Sequence, residues 1–581
     1  MFDDRALMNS HPATAGIRDD RLMKAASLLL VLLLACWLRF YRLDGYGLWS
    51  DEFVTLMIVS KARWLELVQT CFKIPQPMPP LYFILERLFV DLLGTNETSL
   101  RLLSALSSTV TVYFVFAIGR ILFDFEVGLF AALLCAVNSV QIVYAQNARP
   151  YALCLLLSTL SILSFLKWTK ADTKLVRLSF VLSTTLLLYS HYIFLLVLVI
   201  QNAYFLWLRY AHPSGDGKAI LARDWKSWLS LQLCVGVLLL PLMPQVWAIF
   251  RSRETLNWAA SLVQYYPRYQ AFFFFVNPRL IFLSLVCAVA ISSLPSYLKR
   301  VRSQQKIAPY IEGKSQIHWV LSRLAGYLIP ESGSGTHCGL ASNSSCIEGR
   351  LLFLVLWYLV PLVLFFGLAR LNLVHLFVER YLILASLASY LLLASIPLRL
   401  MPGLIGRVFV IVYLLIYVAA EPASYFFQKG QFSQGVPGGN EWRETLTQLA
   451  NPDFNAPLFL FQSPFIESNQ LDFVSKPGLL DYLAAPLASF YVRDARPFVL
   501  LPVHWWIDIE PHRRFKARIK EILVSRQEFT LLSTEEFRTY FNFWMERELS
   551  ANYQLEELLH FRSSGALSLT RLRLSARHIS Y

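Results

Sequence analysis

Apolar stretches of about twenty residues recur along this chain, and each is long enough to cross the hydrocarbon core of a bilayer as a helix. In lipid, every backbone N–H and C=O has to be satisfied within the protein, which leaves helices as the natural spanning form for runs of this length. Approximate limits are 24–43, 100–122, 127–145, 150–168, 176–190, 192–209, 229–249, 279–297, 351–369, 381–398 and 404–420. The expected fold is therefore an α-helical polytopic membrane protein with about 11 transmembrane helices. Composition agrees. Only 16% of the 581 residues are charged, against about 25% in soluble domains, and the mean hydropathy is +0.47.

A net charge of +14 raises the question of nucleic acid, and the placement of the basic residues answers it. Arg18, Arg21 and Lys24 precede the first span. Lys167, Lys170, Lys174 and Arg177 follow the fourth, Arg209, Lys218, Arg223 and Lys226 the sixth, and Lys299, Arg300, Arg302 and Lys306 the eighth. All of these clusters share one side if the N-terminus is cytoplasmic, as the positive-inside rule requires. The charge is thus a signature of membrane topology, and a nucleic-acid partner is excluded. The polar residues 1–23 read as a cytoplasmic tail, and the span that follows reads as a retained signal-anchor. Most of the eight cysteines lie in or beside apolar runs, as small hydrophobes. Cys338 and Cys346 beside His337 lack zinc-ligand spacing.

This topology puts the unusual polar residues on the outer face. They include the loop 44–99, the turn around Gln146 to Arg149, the Ser190-His191-Tyr192 turn, and the end of the 370–381 stretch. Within the long loop, Trp64, Leu65, Leu67 and Val68 have helical spacing, so 60–73 is expected as an amphipathic interfacial helix. Pro75, Pro77, Pro79 and Pro80 then force a stiff, extended corner. Residues 24–420 are read as the transmembrane domain, and 421–581 as a small extracytoplasmic α/β domain. In the latter, 457–461 and 497–501 look like buried strands, and LSLTRLRL near the end alternates as a strand. Ser533 with Glu536 reads as a capping box that opens a helix through about Leu549.

Four constellations carry candidate chemistry. Asp51 and Glu52 follow the interfacial aromatics Tyr41, Tyr46 and Trp49. An acid at the membrane centre costs roughly 2.5–3.5 kcal/mol and less near the interface, so a pair of them calls for a purpose. A carboxylate there is able to take a proton from a hydroxyl or amine. The structural alternative is two solvated acids at the mouth of a helix. In Tyr144-Ala-Gln146-Asn147-Ala-Arg149-Pro150-Tyr151, an arginine at a span mouth suits a phosphate, because its planar fork gives paired charge-assisted hydrogen bonds. The alternative is a snorkelling arginine beside a helix-starting proline. Glu379-Arg380-Tyr381 repeats this arrangement, with an interfacial anchor as the bland reading. His191 with Tyr192 sits in a very short turn, where a lone histidine is more often structural.

The order LWSDE, PPLY at 79–82, Q-x-A-R-P-Y at 146–151, SHY at 190–192 and ERY at 379–381 resembles the GT-C superfamily of membrane glycosyltransferases. It looks most like the bacterial branch of protein O-mannosyltransferases, lipid A aminoarabinose transferase and Rgt-type lipopolysaccharide glycosyltransferases. The resemblance covers about 24–210 well and 370–400 more thinly, and Trp442-Arg443 resembles a motif at the start of the outer domain. It implies a GT-C fold in the bacterial plasma membrane and inverting transfer of a hexose or pentose. The donor would be a polyprenyl-phosphate sugar, and the acceptor a lipid, glycan or protein of the cell envelope. Asp51 would then be the catalytic base or the acid that binds acceptor and metal, with Glu52 as its neighbour. Arg149 and Arg380 would hold the donor phosphate. Trp49, Tyr82, Gln146, Tyr151, His191, Tyr192 and Tyr381 would line the substrate pocket. Some members use a divalent cation and others do not, so the metal is left open. This chain departs from the pattern at Met78, where a histidine or charged residue is common, and at Asn147, where glutamate is common.

Two other classes fit part of the pattern. A flippase or other secondary transporter would hold its polar residues near the bilayer midplane, in two related halves, and no such repeat is visible. An assembly scaffold would leave Asp51, Arg149 and Arg380 far apart.

Overall fold

The computed structural model describes residues 12–210, 225–251, 281–288, 341–371, 379–401, 403–432, 439–470, 477–492, 497–506, 508 and 510–577. The loop 250–278, the stretch 298–340 with His337 and Cys338, and the basic residues Lys218, Arg223, Lys299, Arg300, Arg302 and Lys306 lie outside or almost wholly outside them.

The first span is α1 (Pro12–Phe40), and three short helices follow it: α2 (Ser50–Val59), α3 (Trp64–Lys73) and α4 (Leu81–Leu93). The proline run falls in the non-helical corner between α3 and α4. In α3, Leu67 and Cys71 point into the protein while Trp64 and Leu65 are exposed, as an interfacial helix requires. The bundle continues with α5 (Glu97–Leu122), α6 (Phe125–Val137), α7 (Ser139–Ala145), α8 (Tyr151–Lys170), α9 (Lys174–Ser190) and α10 (Leu196–Tyr210). Then come α11 (Trp225–Leu238), α12 (Met243–Arg251), α13 (Ala341–Arg370), α14 (Glu379–Leu400) and α15 (Gly403–Val418).

Among the described residues, 7 helices are long and apolar enough to cross a membrane, or up to 9 if two bent pairs each form one span. The difference from the expected 11 has two sources. Helix α9, over the expected span 176–190, has only 17 residues, and most of 279–297 lies outside the described residues.

One bent pair is α6 and α7, which meet at 63° around Asn138. A break inside a span frees backbone groups that lipid cannot satisfy. Here the protein satisfies them. Arg39, wholly buried at the end of α1, donates to the carbonyls of Ala136 (2.9 Å) and Cys135 (3.0 Å), where the negative end of the α6 dipole favours a cation. On the other side, Tyr417 Oη accepts from Ser139 N at 3.1 Å and donates to Glu421 at 2.6 Å. The break therefore fixes the direction of α7 and of the Gln146–Arg149 turn beyond it. Nearby, α5 and α6 pack backbone to backbone: a Cβ on Gly119 would lie 2.7 Å from Gly128 Cα.

The C-terminal region starts with α16 (Ser424–Lys429) and α17 (Gly439–Gln448) and forms a five-stranded sheet in the order β2-β1-β3-β5-β4. The strands are β1 (Leu458–Gln462), β2 (Val499–Leu501), β3 (Glu528–Thr534), β4 (Tyr553–Arg562) and β5 (Leu567–Ala576). Strands β1, β2 and β3 pair in parallel, and β5 runs antiparallel to both β3 and β4. Along β1, Phe459 and Phe461 join the core shared with the membrane helices, while Leu458 and Leu460 belong to a second core under α19 (Glu510–Arg526) and α20 (Glu535–Leu549). Helix α18 (Pro477–Leu483) lies on the side of the membrane bundle and packs on α2. The cap of α20 is Thr534, whose Oγ1 accepts from Phe537 N at 3.2 Å, one residue past the expected Ser533. Ser533 is still inside β3, and Thr534 is both the last strand residue and the cap.

Candidate active site

Asp51 and Glu52 lie in the first turn of α2, where the free N–H groups of a helix favour acids. Their environments differ. Glu52 is wholly buried, and its Oε2 and Oε1 accept from Arg101 Nη2 at 2.7 Å and Nε at 2.9 Å. Oε1 also accepts from Ala148 N at 2.7 Å, and Oε2 from Trp49 N at 3.3 Å. Arg101, near the start of α5, donates to the carbonyls of Leu43, Tyr46 and Gly47 at 2.7–3.0 Å. The Glu52–Arg101 pair therefore fastens the end of α1, the start of α2, α5 and the Arg149 turn to one another.

Asp51 is partly open and faces two guanidinium groups. Its Oδ2 lies 2.9 Å from Arg380 Nη1, at the start of α14, and 3.9 Å from Arg149 Nη2. Arg149 also donates from Nη1 to the Asp51 carbonyl at 3.2 Å, and its Nη2 lies 3.6 Å from Met78 Sδ. Burial is the largest influence on Arg149 and disfavours its charge, but the Asp51 carboxylate and the Tyr151 hydroxyl together outweigh it, and the pKa is raised. The buried Arg149 Nε has no hydrogen-bond partner among the described residues, so one donor is available to an anion.

The aromatic neighbours form one wall. His191 lies 5.8 Å from the rings of both Tyr151 and Tyr381, and Tyr381 carries Arg380 over its face at 5.4 Å. Burial first, then the charges of Arg149 and Arg380, push the His191 pKa down to about 3, so the ring is neutral. Tyr192 leaves this wall and donates to Gln245 Oε1, which belongs to α12. Gln245 Nε2 in turn donates to the carbonyls of Cys71 and Met78, each at 2.8 Å, and so holds the proline corner. Trp49 Nε1 donates to Asn147 at 3.2 Å. Two expected pocket residues have other work. Tyr82 is wholly buried on α4, with its hydroxyl 3.3 Å from Ser104 Oγ. Gln146 donates to the carbonyls of Tyr41 (2.9 Å) and Arg39 (3.3 Å), which ties α7 to the end of α1.

The sheet domain closes the site from above. Glu467 Oε1 accepts from Gln76 Nε2 at 2.7 Å, and burial raises its pKa, with a smaller contribution from Asp51. Tyr482 is raised well above the usual phenol range by burial and is close enough to feel Asp51, Arg149 and Arg380. The domain is held down at Tyr491, which accepts from Leu48 N at 2.9 Å and donates to Glu97 at 2.8 Å, and at Arg443, which pairs with Glu97 at 2.8 Å. Trp442 packs edge-on to Phe53 at 5.7 Å.

Arg101, Gln245, Glu467 and Tyr482 were missed by sequence reasoning. Arg101 alone had a signal, since a charge inside an expected span is a functional candidate by default. No cluster of three or more His, Cys, Asp and Glu suited to a metal ion occurs among the described residues. With two guanidinium groups as its neighbours, Asp51 does not have the donor set of a cation site. The Glu379 side chain lies outside the description.

Residues 77–215 match the family model for dolichyl-phosphate-mannose-protein mannosyltransferase. Among curated proteins, none matches the sequence significantly. The solved structures that resemble the chain include apo ArnT from Cupriavidus metallidurans, with 12% identity over 96% of this chain and 98% of that one and a TM-score of 0.48. ArnT bound to undecaprenyl phosphate gives 12% identity, 95% and 97% coverage and 0.43. The Archaeoglobus fulgidus oligosaccharyltransferase AglB, in complex with an inhibitory peptide and a dolichol-phosphate, gives 11% identity, 97% and 75% coverage and 0.49. Likenesses at this level say nothing of what this chain binds.

Proposed function

We propose that this chain, a multi-pass membrane protein of the GT-C type, is an inverting glycosyltransferase that moves a sugar from a polyprenyl-phosphate donor to a cell-envelope acceptor. The observation that carries the reading is the meeting of one partly open carboxylate with two buried or half-buried guanidinium groups, Asp51 with Arg149 and Arg380. The match of residues 77–215 to a lipid-phosphate-sugar transferase family supports it.

In this mechanism, Asp51 accepts the proton of the acceptor hydroxyl or amine as its oxygen or nitrogen attacks the anomeric carbon. The bond from that carbon to the phosphate oxygen breaks, and the electron pair leaves with the polyprenyl phosphate. Arg149 and Arg380 stabilise the charge that develops on the phosphate, so the leaving group needs no proton. A single displacement inverts the anomeric centre and uses one base, in contrast to the paired carboxylates of glycoside hydrolysis. Glu52, fastened by Arg101, fixes the first turn of α2 on which Asp51 sits. The neutral His191 with Tyr151 and Tyr381 forms the wall of the pocket. No step is assigned to a metal ion.

The site and the sheet domain lie at the same end of the bundle. The basic clusters at the other ends of the spans support a cytoplasmic N-terminus, and on that reading this end faces the outside of the bacterial plasma membrane. A transporter would line a broken helix with cavity or substrate. The break between α6 and α7 is filled instead by Arg39 and Tyr417. The test is transfer itself. Purified full-length protein is incubated with undecaprenyl-phosphate-linked hexose and pentose donors and an envelope extract. Appearance of glycosylated product and free undecaprenyl phosphate is expected. Movement of donor across proteoliposomes with no product would overturn the reading.

A further inference from the structure

Glu86, on α4, is wholly buried, and neither of its carboxyl oxygens has a hydrogen-bond partner among the described residues. A buried polar group left in this state is costly, and a charged one more so. Helix α4 packs mainly on α2, α3, α5 and α9, and their inward faces bring it no free cation among the described residues. Helix α3 turns in Leu67 and Cys71, and the buried residues of α9 are Phe, Ser, Thr and Leu. Arg101 of α5 is spent on Glu52 and on three carbonyls. Arg87, the next residue on α4, is spent on Asp91 and on the carbonyls of Val59 and Lys61. Helix α2 contributes Glu52, a like charge. Burial first, with Glu52 adding to it, holds the Glu86 pKa well above the usual carboxylate range and outweighs the opposite pull of the Tyr82 hydroxyl. Glu86 is therefore a neutral carboxylic acid, which carries one O–H donor.

Tyr82 lies one turn before Glu86 on the same buried face. Its hydroxyl is 3.3 Å from Ser104 Oγ, and Ser104 donates to the Arg149 carbonyl at 3.3 Å. Serine has a single proton, so the Tyr82 hydroxyl is the donor in the first of these contacts. Tyr82 then has only lone pairs left for Glu86, and a carboxyl group can use them only while it holds its own proton. The row is thus directed from Glu86 through Tyr82 and Ser104 to Arg149. Its far end matters. Helix α8 takes a backbone bond at the Pro150 carbonyl, 2.9 Å from Cys154 N, while the Arg149 carbonyl is held by Ser104. On the other side of the same turn, Ala148 is held by Glu52 and Thr55 of α2.

We propose that Glu86 is a positioning residue: as a neutral acid it donates to Tyr82, and through Tyr82 and Ser104 it holds the backbone at Arg149 and so the guanidinium that faces the donor phosphate. The phosphate rests on the transferase reading, whereas the protonated carboxyl does not. An ionised Glu86 would accept instead, draw the Tyr82 proton to itself and leave Ser104 without its donor.

The test uses full-length protein in detergent. Infrared spectra at neutral pH should show the C=O band of a protonated carboxylic acid that disappears in Glu86→Gln. Calorimetry then measures the Kd of undecaprenyl phosphate. Glu86→Gln keeps an N–H donor and should bind about as tightly as the wild type. Glu86→Met has a similar shape and no donor, so its affinity should fall about 3- to 10-fold, the range of one neutral hydrogen bond. Its thermal midpoint should stay equal or rise, because a buried carboxyl without a partner is gone. Tyr82→Phe should weaken binding by a similar factor, and its combination with Glu86→Met should weaken it no further than either alone. Absence of the band would overturn the proposal, as would a Met variant that binds like the wild type. A Met variant that loses thermal midpoint and affinity together, or additive losses in the double variant, would overturn it as well. If the band is present and no form binds undecaprenyl phosphate, the transferase reading falls, and the neutral acid at Glu86 stands without it.

Discussion

Asp51 and Arg380, 329 residues apart in sequence, meet at 2.9 Å and join α2 to the start of α14. In the proposed cycle this contact is exchanged rather than kept. A donor phosphate competes for Arg380 and leaves Asp51 to take the acceptor proton, so binding of the donor prepares the base.

Arg380→Lys and Arg149→Lys each replace a planar fork with a point charge. A lost charge-assisted hydrogen bond is worth about 1.5–3 kcal/mol, so kcat/KM for the donor should fall about 10- to 100-fold in each. The KM of the acceptor should change little. Steady-state kinetics with varied donor at saturating acceptor measures this, and unchanged donor kinetics in both variants would remove the phosphate role.

Glu52 and Arg101 are a buried pair with every donor and acceptor used. Breaking such a pair from one side costs about 3–5 kcal/mol, since the remaining charge is left buried. Arg101→Met should therefore lower the thermal midpoint in detergent markedly, and Glu52→Gln with Arg101→Met should recover part of it. Neither variant should regain full activity, because the carbonyls of Leu43, Tyr46 and Gly47 lose their donor.

His191 titrates near 3 in the folded protein against about 6.5 for an ordinary histidine. Between those values the unfolded chain holds a proton that the folded chain lacks, so stability rises with pH there. The contribution is complete above about pH 6.5 and drains as pH falls toward 3. His191→Phe should flatten the acid side of a stability profile measured between pH 4 and 7. Activity between pH 5 and 8 should show no limb from this ring, and loss of such a limb in the variant would contradict a neutral His191.

The run of apolar segments was legible because a bilayer allows so few solutions, and the same logic brought out Asp51, Arg149 and Arg380 as charges at span mouths. Their meeting is a property of the tertiary fold. The work of Glu52 was hidden because its partner lies 49 residues away in sequence, and a residue adjacent to Asp51 invites a shared role. Tyr82 and Gln146 sit in motifs but spend their polar atoms on Ser104 and on the end of α1. Gln245, Glu467 and Tyr482 sit in ordinary local sequence, so only the packing of α12 and the sheet domain reveals them. At the expected span 176–190 the chain does form a helix, α9, with ends within two residues of those read from hydropathy.

The most direct test of the account is the behaviour of Asp51→Asn in full-length protein that folds and inserts normally. Removing a general base typically costs 100- to 10,000-fold, so turnover should fall by at least about 100-fold. Affinity for undecaprenyl-phosphate sugar should stay equal or become tighter, since Arg149 and Arg380 lose a competing anion. Turnover at the wild-type rate would contradict the assignment of Asp51 as the base and, with it, the proposed chemistry of the site.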